Sequence, residues 1–190
     1  AIPCVLHCEN RCGEKILKMI LLEGWDERDQ DNLAREKMLV QVVKVVNTRI
    51  LGKPKRPANW RIITTKDSEN RTTLGDQSMP NRHVCKFIEQ IELITEVMII
   101  DEERRQSWNQ VIGLWSNLMT KARQREDFSD QDIEFFEDMC DEFYENWIAL
   151  NGQKGITNYF HMVGAGHLTY YLRHYRNLYR FSQQGWESLN

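Results

Sequence analysis

Apolar residues recur at the three- and four-residue spacing of an α-helix along most of this 190-residue chain. This periodicity constrains the fold more than any other feature of the sequence. It runs through LAREKMLVQVVKVVNTRIL and stops at Gly52, Lys53 and Pro54, because glycine and proline end helices. It resumes at Val84 and starts again after Asp101. The sequence therefore predicts a mainly α-helical chain.

The best-defined helix start lies at Ser129, which has Asp132 three residues later, as in a capping box. The periodic segment IEFFEDMCDEFYENWIAL follows and ends at Gly152. The longest irregular stretch is predicted over residues 52–81, which contain three of the four prolines. Long irregular stretches of this kind often carry function.

A last long helix is predicted over residues 157–180, and Gly164 and Gly166 indicate a kink or a break in its middle. Several aromatic residues fall on the apolar stripes of the predicted helices. We expect them to lie in the core rather than to form a platform for stacked bases. They are Trp108, Trp115, Tyr159, Tyr170 and Tyr171.

Composition and charge limit the classes of function. The chain is 41% hydrophobic and 28% charged, as in globular proteins, and it lacks the roughly 20 consecutive apolar residues of a membrane span. Residues 35–61 contain eight Lys/Arg and one acid, whereas residues 126–145 contain ten acids and no base. Within the basic residues, the stretch GKPKRPANWR is either a plain loop or a contact for DNA phosphates. The candidate phosphate contacts are Lys53, Lys55, Arg56 and Arg61.

An acidic residue near each end of the chain is a candidate metal ligand. The short, β-prone segment IPCVLHC predicts a strand within residues 1–10, and Glu9 would follow its buried part. Glu187 lies on a short predicted helix over residues 181–190. Carboxylates from separate elements can share two divalent ions and support phosphoryl transfer. The alternative is that both are surface glutamates.

Four stretches, in chain order, resemble the catalytic core of one family. They are VLHCENRCGEKILKMILLEG, EERRQSWNQVIGLWSNLM, KGITNYFHMVGAGHL and SQQGWESLN. The family comprises the Transib-like DDE transposases and the catalytic subunit of the V(D)J recombinase. The ordered resemblance spans nearly the whole chain, and ITNYFH is its most distinctive part.

The resemblance implies a helical insertion domain attached to a partial RNase H-like core. That core would supply one strand at residues 1–10 and the start of a helix at 181–190, and residues 11–180 would form the insertion region. By position Glu9 and Glu187 would bind Mg²⁺ or Mn²⁺, and the first catalytic aspartate would lie upstream of Ala1. The expected partner is DNA, the expected compartment is the nucleus, and the full-length protein would act as a homodimer. The chain alone is expected to be an inactive fragment.

Three departures from the family leave an alternative open. The family has aspartate where this chain has Glu9. Its two zinc-binding histidines have four intervening residues, whereas His161 and His167 have five. Its cysteine pair is represented at most by Cys140. The alternative is a domesticated, non-catalytic helical module that binds DNA or a partner protein, and an unrelated helical domain is a third reading.

Overall fold

The computed structural model describes residues 4–29, 31–66, 68, 70 and 72–181. This part of the chain contains eight α-helices and two short antiparallel strands. The helices are α1 (Val5–Asp26), α2 (Asn32–Val45), α3 (Asn81–Glu89), α4 (Glu92–Met98), α5 (Glu102–Ala122), α6 (Asp130–Asn151), α7 (Asn158–Gly164) and α8 (His167–Tyr175). The strands are β1 (Thr64–Lys66) and β2 (Thr72–Leu74), and a π-helical turn at Val46–Ile50 follows α2.

The prediction of a mainly helical chain is confirmed. Within the described residues, the two strands pair only with each other, so these residues contain no sheet of an RNase H-like core. The irregular stretch predicted over residues 52–81 is largely confirmed, although β1 and β2 form a hairpin inside it.

The prediction of a strand over residues 1–10 is wrong where the structure describes that region, because α1 begins at Val5. The backbone N–H of Cys8 donates to the carbonyl of Cys4 at 3.0 Å, so helical hydrogen bonding starts even earlier. Val5, Cys8 and Cys12 are buried at helical spacing, in phase with the apolar residues that follow. Extending an existing helix is favourable once the helix has nucleated, and among the described residues the only sheet is the hairpin of β1 and β2.

The described residues form two compact units. The terminal unit consists of the described residues up to Cys12 and from Val111 onward, and the central unit is Gly13–Gln110. The core of the terminal unit contains a cluster of four buried aromatic rings, in which the centroids of Trp147 and Phe160 lie 4.3 Å apart. Trp115 and Phe143 complete this aromatic cluster, with centroids 5.0 Å apart.

In the central unit, a partly buried polar contact joins α1 to α5. Glu23 accepts hydrogen bonds from Nε and Nη2 of Arg104 at 2.6 and 2.8 Å. It also accepts one at 2.7 Å from the indole N–H of Trp108, whose side chain is buried. The predicted core position of Trp108 is thereby confirmed, and its polar atom is satisfied as burial requires.

The capping box predicted at Ser129 is confirmed. The Ser129 hydroxyl accepts a hydrogen bond from the backbone N–H of Asp132 at 3.1 Å, and Asp132 accepts one from the backbone N–H of Ser129 at 3.0 Å. The ammonium group of Lys121 also donates to the Asp132 carboxylate at 2.6 Å. Helix α6 ends before Gly152, whose φ of +61° favours glycine.

Asp132 is expected to make the stability of the folded chain depend on pH in acidic solution. Hydrogen bonds from Lys121 and then from Ser129 lower the pKa of the Asp132 carboxyl from 3.8 to about 2. A lowered folded-state pKa contributes stability above the unfolded-state value, and this contribution is lost as the pH falls toward 2. Thermal unfolding at several pH values should therefore show Asp132→Asn clearly destabilised at pH 7, with a smaller difference from the wild-type chain near pH 2.

The matched control is Asp138→Asn, which removes an exposed carboxylate from the same helix. A destabilisation by Asp132→Asn that is equal at both ends of the pH range would contradict the assignment.

Candidate nucleic-acid interface

A continuous basic segment lies in the central unit. We define it as residues 37–66, which contain eight Lys/Arg and no Asp or Glu. All eight side chains are exposed, and none forms an ion pair with a residue that the structure describes. They are Lys37, Lys44, Arg49, Lys53, Lys55, Arg56, Arg61 and Lys66. The four predicted phosphate contacts all belong to this segment and all face solvent.

The middle of the basic segment is held in place by Asn47. Its side-chain carbonyl accepts from the backbone N–H of Trp60 at 2.7 Å, and its amide donates to the Trp60 carbonyl at 2.9 Å. Its own backbone carbonyl accepts from Ala58 at 2.8 Å. A Cβ on Gly52 would lie 2.5 Å from the Ala58 nitrogen, so this close approach requires glycine. These contacts anchor the loop that carries Lys53, Lys55, Arg56 and Arg61.

The basic segment ends in β1, which pairs with β2 in a hairpin whose base is held by Gln77. The buried Gln77 amide donates to the carbonyls of Ile63 and Gly75 at 2.9 and 2.8 Å. Its side-chain oxygen accepts from the backbone N–H of Ile63 at 3.0 Å. An isolated hairpin is only marginally stable in water, so these three hydrogen bonds help to stabilise the hairpin that carries Lys66.

The structure places Glu9 in a setting that differs from the predicted one. Glu9 lies on α1, is only 6% exposed, and forms an ion pair with the guanidinium of Arg123. Glu187, the other predicted metal ligand, lies outside the described residues. Within the part of the chain that the structure describes, no group of three or more His, Cys, Asp and Glu side chains could hold a metal ion.

The predicted break between Gly164 and Gly166 is confirmed, because α7 ends at Gly164 and α8 begins at His167. Gly166 has a φ of +70°, a left-handed conformation that glycine adopts readily. The break brings the imidazole rings of His161 and His167 to a centroid distance of 5.7 Å, and both side chains are exposed.

Cys140, the nearest counterpart of the family's zinc-binding cysteines, is buried on α6. Desolvation by burial is the main cause that raises the pKa of its thiol. A metal-binding cysteine must lose its proton, so this setting disfavours Cys140 as a zinc ligand. The two histidines are therefore the only predicted zinc ligands among the described residues that are accessible together.

An exposed group of aromatic residues on α8 was missed by the sequence prediction. Trp115 is buried as expected, but Tyr170 is 58% exposed. The helical break explains this error, because it shifts the phase of α8 so that Leu168 and Leu172 point inward instead. The glycine pair predicted the break, but a break alone does not give the rotation of the helix that follows, so the sequence held no signal for the exposed side of α8.

No protein-family model, characterised protein or solved structure matches this chain. Among the helices of the described residues, none is both long enough and apolar enough to span a bilayer. The function must therefore be inferred from the residues and surfaces described above.

Proposed function

We propose that this chain is a DNA-binding helical region of a Transib-like DDE transposase, or of a domesticated descendant, and that it does not cleave DNA by itself. The observation that carries the proposal is the basic segment 37–66, in which eight exposed cations have no acid among them. Its expected site of action is the nucleus, and DNA is its expected partner.

The charge distribution supports phosphate binding more strongly than the net charge does. The whole chain carries a formal charge of −3, so a uniform surface would repel DNA. The basic segment is locally positive, and its cations make no ion pairs to described residues that a phosphate would have to displace. Contacts with phosphates release counterions, which makes affinity depend steeply on salt.

The surroundings of Glu9 favour a DNA-binding role over catalysis for the described residues. A two-metal site needs carboxylates that are open to the ions. Glu9 is instead buried against Arg123, and a metal ion would have to displace that guanidinium. Binding of Mg²⁺ or Mn²⁺ by Glu9 and Glu187, zinc binding by His161 and His167, and homodimerisation all belong to the proposal for a full-length enzyme.

The DNA-binding proposal predicts that removing cations from the basic segment weakens DNA binding more than removing cations elsewhere. The double variant Lys53→Ala/Lys55→Ala should weaken binding to a duplex and reduce the slope of log K against log salt concentration by about 1.8, since each phosphate contact contributes about 0.9. Fluorescence anisotropy with a labelled duplex at several salt concentrations measures this slope. Replacing Arg56 and Arg61 as well should reduce it further.

The matched control is Arg82→Ala/Lys86→Ala, which removes two exposed cations from α3 and changes the net charge equally. We expect this control to leave the slope nearly unchanged. An equal reduction of the slope in both double variants would show that only the net charge of the chain affects DNA binding. An unchanged slope in the Lys53→Ala/Lys55→Ala variant would show that Lys53 and Lys55 do not contact phosphates.

A further inference from the structure

A closed turn carries three of the eight cations of the basic segment. We define the basic turn as residues 53–56, whose sequence is Lys-Pro-Lys-Arg. The backbone N–H of Lys53 donates to the carbonyl of Arg56 at 3.0 Å, and the N–H of Arg56 donates to the carbonyl of Lys53 at 2.9 Å. Pro54 occupies the second position of this β-turn, which proline favours because its φ is fixed. The basic turn is therefore closed by its own backbone.

The residues on both sides of the basic turn hold it in place. Gly52 precedes the turn, and a Cβ there would lie 2.5 Å from the Ala58 nitrogen. The N–H of Ala58 donates to the backbone carbonyl of Asn47 at 2.8 Å. Pro57 follows the turn and restricts both its own backbone and that of Arg56. A ligand that binds the basic turn therefore has little chain entropy to remove.

The side chains of the basic turn offer only positive charge and hydrogen-bond donors. All of them are exposed. Lys53, Lys55 and Arg56 form no ion pair with a residue that the structure describes. Residues 51–58 contain no side chain with a carboxylate, amide or hydroxyl group. The ligand of this turn is therefore expected to present acceptors and negative charge.

The minor groove of A·T-rich DNA has this chemistry. There A·T and T·A pairs show only the acceptors adenine N3 and thymine O2, whereas a G·C pair adds a donor, the guanine 2-amino group. The minor groove of an A-tract is also narrow, which strengthens its negative potential and attracts arginine. The major groove is about 12 Å wide and admits a whole helix or a two-stranded ribbon, so a four-residue turn would not fill it.

We propose that the basic turn enters the minor groove of A·T-rich duplex DNA and that Arg56 contacts the base edges. A guanidinium is more weakly hydrated than an ammonium group, so Arg56 loses its water more easily than either lysine. Lys53 and Lys55 contact the phosphates that border the groove. This inference rests on the proposed function, and it names the kind of duplex that the basic segment prefers.

The test compares the affinity of the whole chain for three labelled duplexes of equal length at one salt concentration. They consist of A-tracts, of G·C pairs and of inosine·cytosine pairs. Inosine lacks the 2-amino group, so an inosine·cytosine pair resembles A·T in the minor groove and G·C in the major groove. We expect the A-tract duplex to bind about tenfold more tightly than the G·C duplex, and the inosine·cytosine duplex to bind nearly as tightly as the A-tract duplex.

Arg56→Ala should bring the ratio of A-tract to G·C affinity close to one. The substitution keeps the two backbone hydrogen bonds of the basic turn, and the side chain is exposed, so the fold is expected to remain intact. The matched control is Arg61→Ala, which removes an exposed arginine of the same basic segment outside the turn. This control should weaken binding to all three duplexes equally and keep their ratios.

Three results would overturn the inference and leave the proposed function standing. The first is equal affinity of the wild-type chain for all three duplexes, which would mean phosphate contacts alone. The second is an inosine·cytosine duplex that binds like the G·C duplex, which would indicate contacts in the major groove. The third is an equal loss of A-tract preference in Arg56→Ala and Arg61→Ala. If the wild-type chain binds none of the duplexes at low salt, the inference and the proposed function both fail.

Discussion

Replacing Phe160 by alanine is expected to destabilise the chain by about 3–5 kcal/mol, the usual loss for a buried phenylalanine. Its ring is fully buried in the aromatic cluster of the terminal unit. It lies 4.3 Å from the ring of Trp147 and 5.7 Å from that of Phe143. Neighbouring large rings cannot collapse easily into the space, so the cost includes a cavity. Urea denaturation followed by tryptophan fluorescence measures the free energy of unfolding.

Phe135→Ala provides the control, since it removes the same side chain from an exposed position on α6. We expect this variant to change stability by less than about 0.5 kcal/mol. Equal losses in the two variants, or a loss below about 1 kcal/mol in Phe160→Ala, would contradict the described core.

Replacing Glu9 by glutamine is expected to be the second most costly change. The substitution leaves the guanidinium of Arg123 without its carboxylate partner. Breaking a buried ion pair from one side costs about 3–5 kcal/mol. The side chain of Arg123 is 33% exposed, so we expect a loss at or below the lower end of that range. The free energy of unfolding and a double-mutant cycle with Arg123→Gln measure it.

Whether Glu9→Gln lowers or raises the free energy of unfolding distinguishes a structural role for Glu9 from a metal-binding one. In a cluster of metal-binding carboxylates, removing one charge relieves repulsion when no metal is present, so the variant would gain stability. A metal ligand would also let Mn²⁺ stabilise the wild-type chain but not Glu9→Gln. If Glu9→Gln is as stable as the wild-type chain and loses a stabilisation by Mn²⁺, the structural reading of Glu9 is wrong.

Features with local causes were predictable from the sequence. The start of α6 at Ser129 follows from a capping box, whose hydrogen bonds join residues three apart. The start of α5 follows Asp101, as expected, and Gly164 and Gly166 produced the expected break. The exposed position of the basic loop also agrees with its composition.

Features that depend on distant residues were not predictable. The ion pair between Glu9 and Arg123 joins α1 to the end of α5, and no local pattern indicates it. The apolar segment at residues 2–8 fits a strand or a helix by periodicity alone. Its described part from Val5 onward is helical, because the buried stripe of α1 includes Val5 and Cys8. Tyr170 was predicted to lie in the core but is exposed. The glycine pair predicts where the helix breaks, but it does not predict how far the next helix is rotated, so it does not show which side chains of α8 face the core.

The most direct test of the DNA-binding proposal is the salt dependence of duplex binding by the unaltered chain. If four to eight cations of the basic segment contact phosphates, log K should fall with log salt concentration with a slope of about −3.6 to −7. Fluorescence anisotropy between about 50 and 200 mM salt covers the range in which such binding weakens most visibly. A slope near zero, or no binding at the lowest salt concentration, would contradict the proposal that this helical chain binds DNA through its basic segment.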